Sequence, residues 1–139
     1  MKAHVVGRGN RSKIRDHSSP SSGKKNYIID IDGVICENVL NEEPGRMKVA
    51  KEIPGARDTI NRWYNQGHTV CFFTSRTDNH KTITENWLHR HRFKYDLVLY
   101  NKPRGGNYHY VDDKTIRATR FKGKFGKFVL KRRIIEVLE

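Results

Sequence analysis

Apolar runs separated by stretches of helical periodicity predict a parallel sheet in this chain. The runs are rich in β-branched and aromatic residues, and each predicts a buried strand. They are the run from Tyr27 to the aspartates at 30 and 32, and residues 68–73, 96–100 and 108–111. Apolar residues at helical spacing predict helices between Pro54 and Gly67, from about 78 to 93, and over 128–138. Residues 36–53 show no sustained period, which indicates a flap or short hairpin.

Polar residues follow each predicted strand. In chain order they are Asp30 and Asp32, Thr74 and Ser75, Lys102, and Asp112 and Asp113. Parallel strands joined by right-handed crossovers bring their carboxyl ends to one edge of a sheet, where α/β folds bind ligands. Carboxylates, hydroxyls and an ammonium together suit a hard cation and a dianionic phosphoryl group. This edge is therefore the predicted site.

Each of these residues also has a structural interpretation. Asp32-Gly33 is a common turn signal, Thr74 is able to cap a helix, and Lys102 is able to lie on a solvated loop. Two carboxylates as close as Asp30 and Asp32 need compensation by a divalent cation, a proton or a cationic group. Only the combination of strand ends favours the functional interpretation over the structural one.

Charge divides the chain into a nearly neutral body and two basic ends. The 139 residues carry a formal net charge of +13, and residues 114–133 contain no acidic residue. We expect a flexible basic tail over 1–25, because it has too little apolar surface to offset the entropy of ordering. A single catalytic domain is expected over 26–139, with a basic C-terminal segment at 114–139. Such ends indicate either an anionic partner or merely solvated arms.

The cysteine content and hydropathy indicate where the protein resides. Cys36 and Cys71 lie in apolar surroundings, which favours reduced thiols in the cytoplasm over a disulfide framework. No apolar run approaches the length of a membrane span, and no apolar leader is present at the N-terminus. We therefore expect a cytoplasmic protein with no membrane partner.

The order of motifs resembles the haloacid dehalogenase (HAD) superfamily of phosphohydrolases, across about residues 26–120. The resemblance rests on Asp30-Ile31-Asp32-Gly33-Val34, on Thr74 after an apolar strand, on Lys102 and on Asp112-Asp113. It implies an α/β fold with a three-layer, Rossmann-like parallel sheet flanked by helices. No large cap domain is inserted between the motifs. In this the chain is similar to the small capless hydrolases of bacterial capsule and lipopolysaccharide loci and of phages.

The resemblance also implies a mechanism. Asp30 would attack phosphorus and form an aspartyl-phosphate, and Asp32 would serve as general acid and then general base. Mg²⁺ would be held by Asp30, the main-chain carbonyl of Asp32 and Asp112, with Asp113 as a direct or indirect ligand.

Further residues are expected to bind the phosphoryl group and the substrate. By the same resemblance, Thr74, the Ser75 main-chain N–H and Lys102 would contact phosphoryl oxygens. Arg76 and Arg104 flank the predicted cleft, where each is a candidate for a second anionic group of the substrate or for a surface ion pair.

Three functions stay open at this point. The first is a phosphatase acting on a sugar phosphate or nucleotide-like metabolite. The missing cap implies either that a second subunit of a homo-oligomer covers the site or that a large substrate covers it itself. The second is a polynucleotide-end phosphatase, favoured by the basic ends and by Phe121, Phe125 and Phe128 between lysines. These phenylalanines are also candidates for core anchors. The third is a nucleic-acid-binding or assembly-binding protein with an idle hydrolase site.

Overall fold

A parallel sheet flanked by helices forms the body of the protein. The computed structural model describes residues 3–5, 23–131 and 136–139. The strands are β1 (Ala3–Val5), β2 (Asn26–Ile29), β3 (Thr69–Phe73) and β4 (Leu97–Leu99). The helices are α1 (Pro44–Lys48), α2 (Ala56–Asn65) and α3 (Lys81–Arg90), with a 3₁₀ turn at Asp78–His80.

The order of strands in the sheet is β1-β4-β3-β2. The strands β2, β3 and β4 run parallel, with Tyr27 opposite Val70 and Cys71 opposite Leu97. Strand β1 pairs antiparallel with β4. This strand falls within the predicted tail, most of which lies outside the described residues. The carboxyl ends of the three parallel strands consequently lie side by side.

The core lies between the sheet and the helices. Helix α2 buries Ala56, Ile60 and Tyr64, as its spacing predicts, and α3 buries Trp87 and Leu88. The Trp87 indole donates to the Ala50 carbonyl at 2.9 Å, so even this large side chain has its polar atom satisfied. The buried side chains form one contiguous cluster that includes strand residues such as Val70, Phe72 and Val98.

The segment predicted as a flap, residues 36–53, contains a helix and pairs with the residues that follow β2. Helix α1 begins at Pro44, where the missing proline N–H costs nothing, and buries Met47. Isolated bridges join Cys36 to Asp32 and to Glu52. The flap is therefore fixed to the end of β2.

Two predicted elements are wrong. Residues 108–111 form no strand, and no helix is present at 128–131 or 136–139, while residues 132–135 of the predicted helix lie outside the described residues. Three successive positive φ angles, at Gly105, Gly106 and Asn107, turn the chain just before the predicted strand. Among the described residues, β2 therefore forms an edge of the sheet, with Ile28 55% exposed.

Every helix in the described part of the chain is too short or too polar to cross a lipid bilayer.

Candidate active site

A cavity of about 160 Å³ lies at the carboxyl end of β2. Four residues predicted for the site line it: Asp30, Asp32, Ser75 and Arg104. Flap residues 38–41 form its other wall. The structure thus brings the ends of β2 and β3 together with the loop after β4, as the strand order predicts.

Asp30 lies at the mouth of this cavity, directly after β2. Its side chain is 41% exposed, and its Oδ1 accepts the main-chain N–H of Ile31 at 2.9 Å. The Lys102 Nζ lies 3.0 Å from Asp30 Oδ1. Lys102 follows β4, and its own main-chain N–H donates to the Thr74 carbonyl, which fixes the loop beside β3. The structure therefore places a partly exposed carboxylate and an ammonium group next to each other.

Asp32 has a different environment. Arg76 donates from Nε to Asp32 Oδ2 at 2.9 Å and from Nη2 to Oδ1 at 2.7 Å. The side chains are 15% exposed for Asp32 and 2% for Arg76. Arg76 also donates to Thr84 Oγ1 at 3.0 Å. Instead of facing a substrate, Arg76 orients Asp32 from within the protein.

Thr74 and Ser75 directly follow β3. Thr74 is buried, and its Oγ1 accepts the Arg76 N–H at 3.1 Å, which leaves the hydroxyl proton free to donate elsewhere. Ser75 lines the cavity, and its carbonyl accepts Asn41 Nδ2 at 2.9 Å.

The contact of Asn41 with Ser75 holds the flap against the site. His80 Nε2 lies 3.0 Å from the Asn41 carbonyl, which adds a second connection to the same residue. Sequence reasoning missed Asn41, because an asparagine in an aperiodic stretch gives no signal of its partner 34 residues away.

Arg104 lines the cavity from the loop after β4. It pairs with Glu42 of the flap at 3.3 Å, and both side chains are exposed. Arg104 is thus positioned to meet a ligand, in contrast with Arg76.

The predicted metal ligands are only partly brought together. Asp112 lies on the exposed segment after Asn107, where its carboxylate accepts the Tyr110 hydroxyl at 2.8 Å and the Lys114 N–H at 2.9 Å. These hydrogen bonds lower the pKa of Asp112, with the Tyr110 bond the largest cause. Asp113 pairs with Lys114 at 3.8 Å. Across the described ranges, no group of three or more His, Cys, Asp or Glu side chains is arranged to hold a metal ion.

The residues at the cleft therefore do not make a complete divalent-cation site as they stand. Asp30 and the Asp32 carbonyl are oxygen donors of the right kind, but among the described residues no acidic side chain beyond these two aspartates joins them. Lys102 and Arg76 supply the positive charge that the two aspartates need.

Cys36 lies next to Asp32 but is not a nucleophile. Burial and the nearby Asp32 charge raise its thiol pKa to about 12, so the reactive thiolate is scarce at neutral pH. Cys71 behaves in the same way, since burial raises its pKa to about 12.

Comparisons with known proteins identify a family and similar folds. The family model of the PITM 1-3 LNS2 domain matches residues 27–121. LNS2 is a HAD-like phosphatase domain, and HAD-like phosphatases generally use Mg²⁺. No curated protein sequence matches the chain.

Three solved structures are similar to part of the chain at low sequence identity. One is a chain of a Pnkp1/Rnl/Hen1 complex, at TM-score 0.51 and 18% identity, covering 74% of this chain and 36% of that chain. A chain of a Pnkp1/Rnl/Hen1 RNA repair complex gives TM-score 0.49 and 19% identity, covering 71% and 32%. A protein from Vibrio cholerae gives TM-score 0.48 and 22% identity, covering 68% and 83%. The chain thus spans about a third of the length of the repair-complex chains it matches.

Proposed function

The chain belongs to the LNS2 domain family, and we propose that it is a phosphomonoesterase that works through an aspartyl-phosphate on Asp30. One observation carries the proposal: a partly exposed carboxylate at the carboxyl end of a parallel strand, with an ammonium 3.0 Å away, at the mouth of a cavity. The family is of the HAD-like phosphatase type, and its chemistry requires a carboxylate that a phosphoryl group can reach.

In the first step, an Asp30 oxygen attacks phosphorus and the bond from phosphorus to the leaving oxygen breaks. Lys102 neutralises a phosphoryl oxygen, since its Nζ already lies beside the attacking group. The Ser75 N–H and the Thr74 hydroxyl are the proposed donors to the remaining oxygens. The leaving oxygen takes a proton from Asp32, which enters this step as the carboxylic acid and leaves it as the carboxylate.

In the second step, water attacks the aspartyl-phosphate, releases inorganic phosphate and regenerates the Asp30 carboxylate. Asp32 accepts the proton of that water. Both of its oxygens receive N–H groups from Arg76, which fixes the direction of their remaining lone pairs. Arg76 is thus proposed as the residue that positions Asp32.

Mg²⁺ dependence is part of the proposal. The ligands would be Asp30, the Asp32 carbonyl, Asp112 and, directly or indirectly, Asp113. For this set to assemble, the exposed segment that carries Asp112 must move to the cleft, because it is not beside Asp30 in the described arrangement.

Hydrolysis of an aryl phosphate tests the proposal. The wild-type protein is expected to release phosphate in the presence of Mg²⁺, and Asp30→Asn is expected to reduce turnover to background. Asp58→Asn, the same change on the exposed side of α2, is the matched control and is expected to remain active. Mass spectrometry of the acid-quenched wild-type enzyme should find the phosphoryl group on Asp30. Turnover by Asp30→Asn would show that another group attacks phosphorus.

A further inference from the structure

We infer that the substrate of this site is the phosphorylated end of a single-stranded polynucleotide. Tyr108 would stack on a terminal base, and residues 114–131, here called the basic segment, would lie along the phosphate backbone. This inference rests on the proposed function, since it names the substrate class of the same site.

Tyr108 is an exposed aromatic ring next to the proposed nucleophile. The Lys102 Nζ is 5.4 Å from the centroid of the Tyr108 ring and 3.0 Å from Asp30 Oδ1. Tyr108 is 57% exposed, and its hydroxyl donates to the Pro103 carbonyl, so the ring is held at one end while its surface stays open. A fixed, open aromatic ring is the kind of surface on which single-stranded bases stack. Its place beside Lys102 puts a stacked base close to the phosphate position.

The basic segment carries positive charge that acidic side chains among the described residues leave largely uncompensated. Its cations are Lys114, Arg117, Arg120, Lys122, Lys124, Lys127 and Lys131, all exposed, and the segment contains no acidic residue. Within the described part of the chain, they form one ion pair, between Lys114 and Asp113 at 3.8 Å. A phosphomonoester metabolite needs only the cations at the cleft, Lys102 and Arg104. The additional charge therefore fits a ligand with many phosphates.

Phenylalanines attach the basic segment to the body, so that its lysines face solvent. Phe125 packs against the core cluster and lies 3.4 Å from the position that a Gly55 Cβ would occupy. The Phe128 ring stacks on Trp63 with centroids 6.0 Å apart, and Phe121 contacts Phe125. Residues 114–131 contain no helix or strand. The segment is thus an attached basic strip that begins ten residues after Arg104 at the cavity.

An anionic membrane is the competing polyanionic surface, because Val129 and Leu130 are exposed at the end of the strip. Membrane binding does not account for an aromatic ring at the cleft, and Phe121 and Phe125 turn at least part of their surface toward the protein. A polynucleotide accounts for both the ring and the strip. The observations therefore favour the polynucleotide.

Binding to fluorescein-labelled single-stranded 12-mers with a 3′- or 5′-phosphate tests the inference. The assay uses the Asp30→Asn protein, because this variant should not remove the phosphate from the oligonucleotide. In this background, Tyr108→Ala is expected to weaken binding by about tenfold, the loss of one stacked base, whereas Tyr108→Phe retains it. Lys122→Gln with Lys124→Gln should reduce the slope of log K against log salt by about 1.4. Lys48→Gln with Lys51→Gln removes the same charge elsewhere on the surface and should leave the slope unchanged.

The outcomes separate this inference from the proposed function. Hydrolysis of aryl phosphate by the wild-type protein, with no oligonucleotide binding that depends on Tyr108, would overturn the inference and leave the phosphatase standing. Binding to phosphatidylserine vesicles but not to oligonucleotides would overturn it in favour of a membrane. Oligonucleotide binding that depends on Tyr108 and on salt, without release of phosphate from any oligonucleotide or aryl phosphate, would overturn the proposed phosphatase activity. It would support only a polynucleotide-binding surface formed by Tyr108 and the basic segment.

Discussion

Asp30 and Asp32 are the same residue type, two positions apart, yet the fold gives them different surroundings. Asp30 is 41% exposed and has a lysine as its partner, whereas Asp32 is 15% exposed and receives two hydrogen bonds from a buried guanidinium. Lysine is a mobile point charge that is able to follow a phosphoryl group, while the planar arginine fork fixes geometry. The pair is therefore suited to two roles, one that reacts and one that is held in place.

The Arg76–Asp32 pair is expected to matter greatly for stability. Arg76→Met leaves the Asp32 carboxylate in a largely buried position without its partner and should lower the free energy of unfolding by about 3 kcal/mol in urea titrations. Arg104→Met is the matched control, because Arg104 makes an exposed pair with Glu42, and its urea midpoint should stay at the wild-type value. An equal midpoint for the two variants would contradict the assignment of Arg76 as the residue that holds Asp32.

At the scale of single residues, sequence reasoning placed Asp30, Lys102 and Ser75 at one cleft because each follows a strand. It placed Arg76 there too, on the same argument, but the side chain turns inward. Its partner is 44 residues away, and a pairing over that distance has no periodic signature. Strand ends thus predict which residues meet, and packing decides which way each side chain points.

At the scale of elements, the missing strand at 108–111 is the main departure from the predicted sheet, and β2 is an edge strand among the described residues. Ile28 is 55% exposed on this strand, whereas Val98 in β4 is fully buried. Ile28→Thr should change the free energy of unfolding by no more than about 0.5 kcal/mol, as exposed positions do. Val98→Thr should lower it by about 1–3 kcal/mol, because a hydroxyl enters the core. If Ile28→Thr were as costly as Val98→Thr, another strand would have to cover β2.

The start of β2 is connected to the start of β3 through His68. The Lys25 N–H donates to His68 Nδ1 at 3.0 Å, which requires that nitrogen to be unprotonated. Burial lowers the pKa of His68, and the charges of Lys24 and Lys25 lower it further. A lowered folded-state pKa means that the unfolded chain binds the proton first, so this contribution to stability is complete above the ordinary histidine pKa of 6.5 and is lost as the pH falls through the folded-state value.

We therefore expect the wild-type protein to lose more stability between pH 7.5 and pH 5 than His68→Gln does, when both are measured by urea unfolding. His109→Gln, at an exposed position, should retain the wild-type loss. A His68→Gln profile that parallels the wild type would mean that His68 carries none of the pH dependence.

The elements that the sequence predicts well are those that bury a regular apolar face. The spacing of Ala56, Ile60 and Tyr64 gives α2, and the apolar run at 69–73 gives β3. The run at 108–111 has equally suitable residues, but it follows three residues with positive φ, and it stays exposed. Whether a short apolar run becomes a strand depends on the path of the chain that leads to it, which composition does not reveal.

At the scale of the whole molecule, positively charged side chains lie beside both aspartates of the cleft. Lys102 and Arg76 compensate the two aspartates at the cleft, and the acidic residues at 112 and 113 lie on an exposed segment. Because both aspartates have a cationic partner, we expect that folding does not depend on a divalent cation. Binding of Mg²⁺ would then be an addition to a folded protein and would stabilise it by mass action, by about 2.7 kcal/mol at a concentration 100 times Kd.

Removal of divalent cations with EDTA is consequently expected to abolish phosphate release. The midpoint of thermal unfolding in EDTA should stay close to the midpoint measured without EDTA and without added Mg²⁺. Adding Mg²⁺ should raise that midpoint in the wild type and in Asp58→Asn. The rise should be lost in both Asp30→Asn and Asp112→Asn, because each would remove a proposed ligand. A large fall of the midpoint in EDTA would show that a metal, and not Lys102 and Arg76, compensates the aspartates. A rise that persists in Asp112→Asn would instead show that the exposed segment never reaches the cleft.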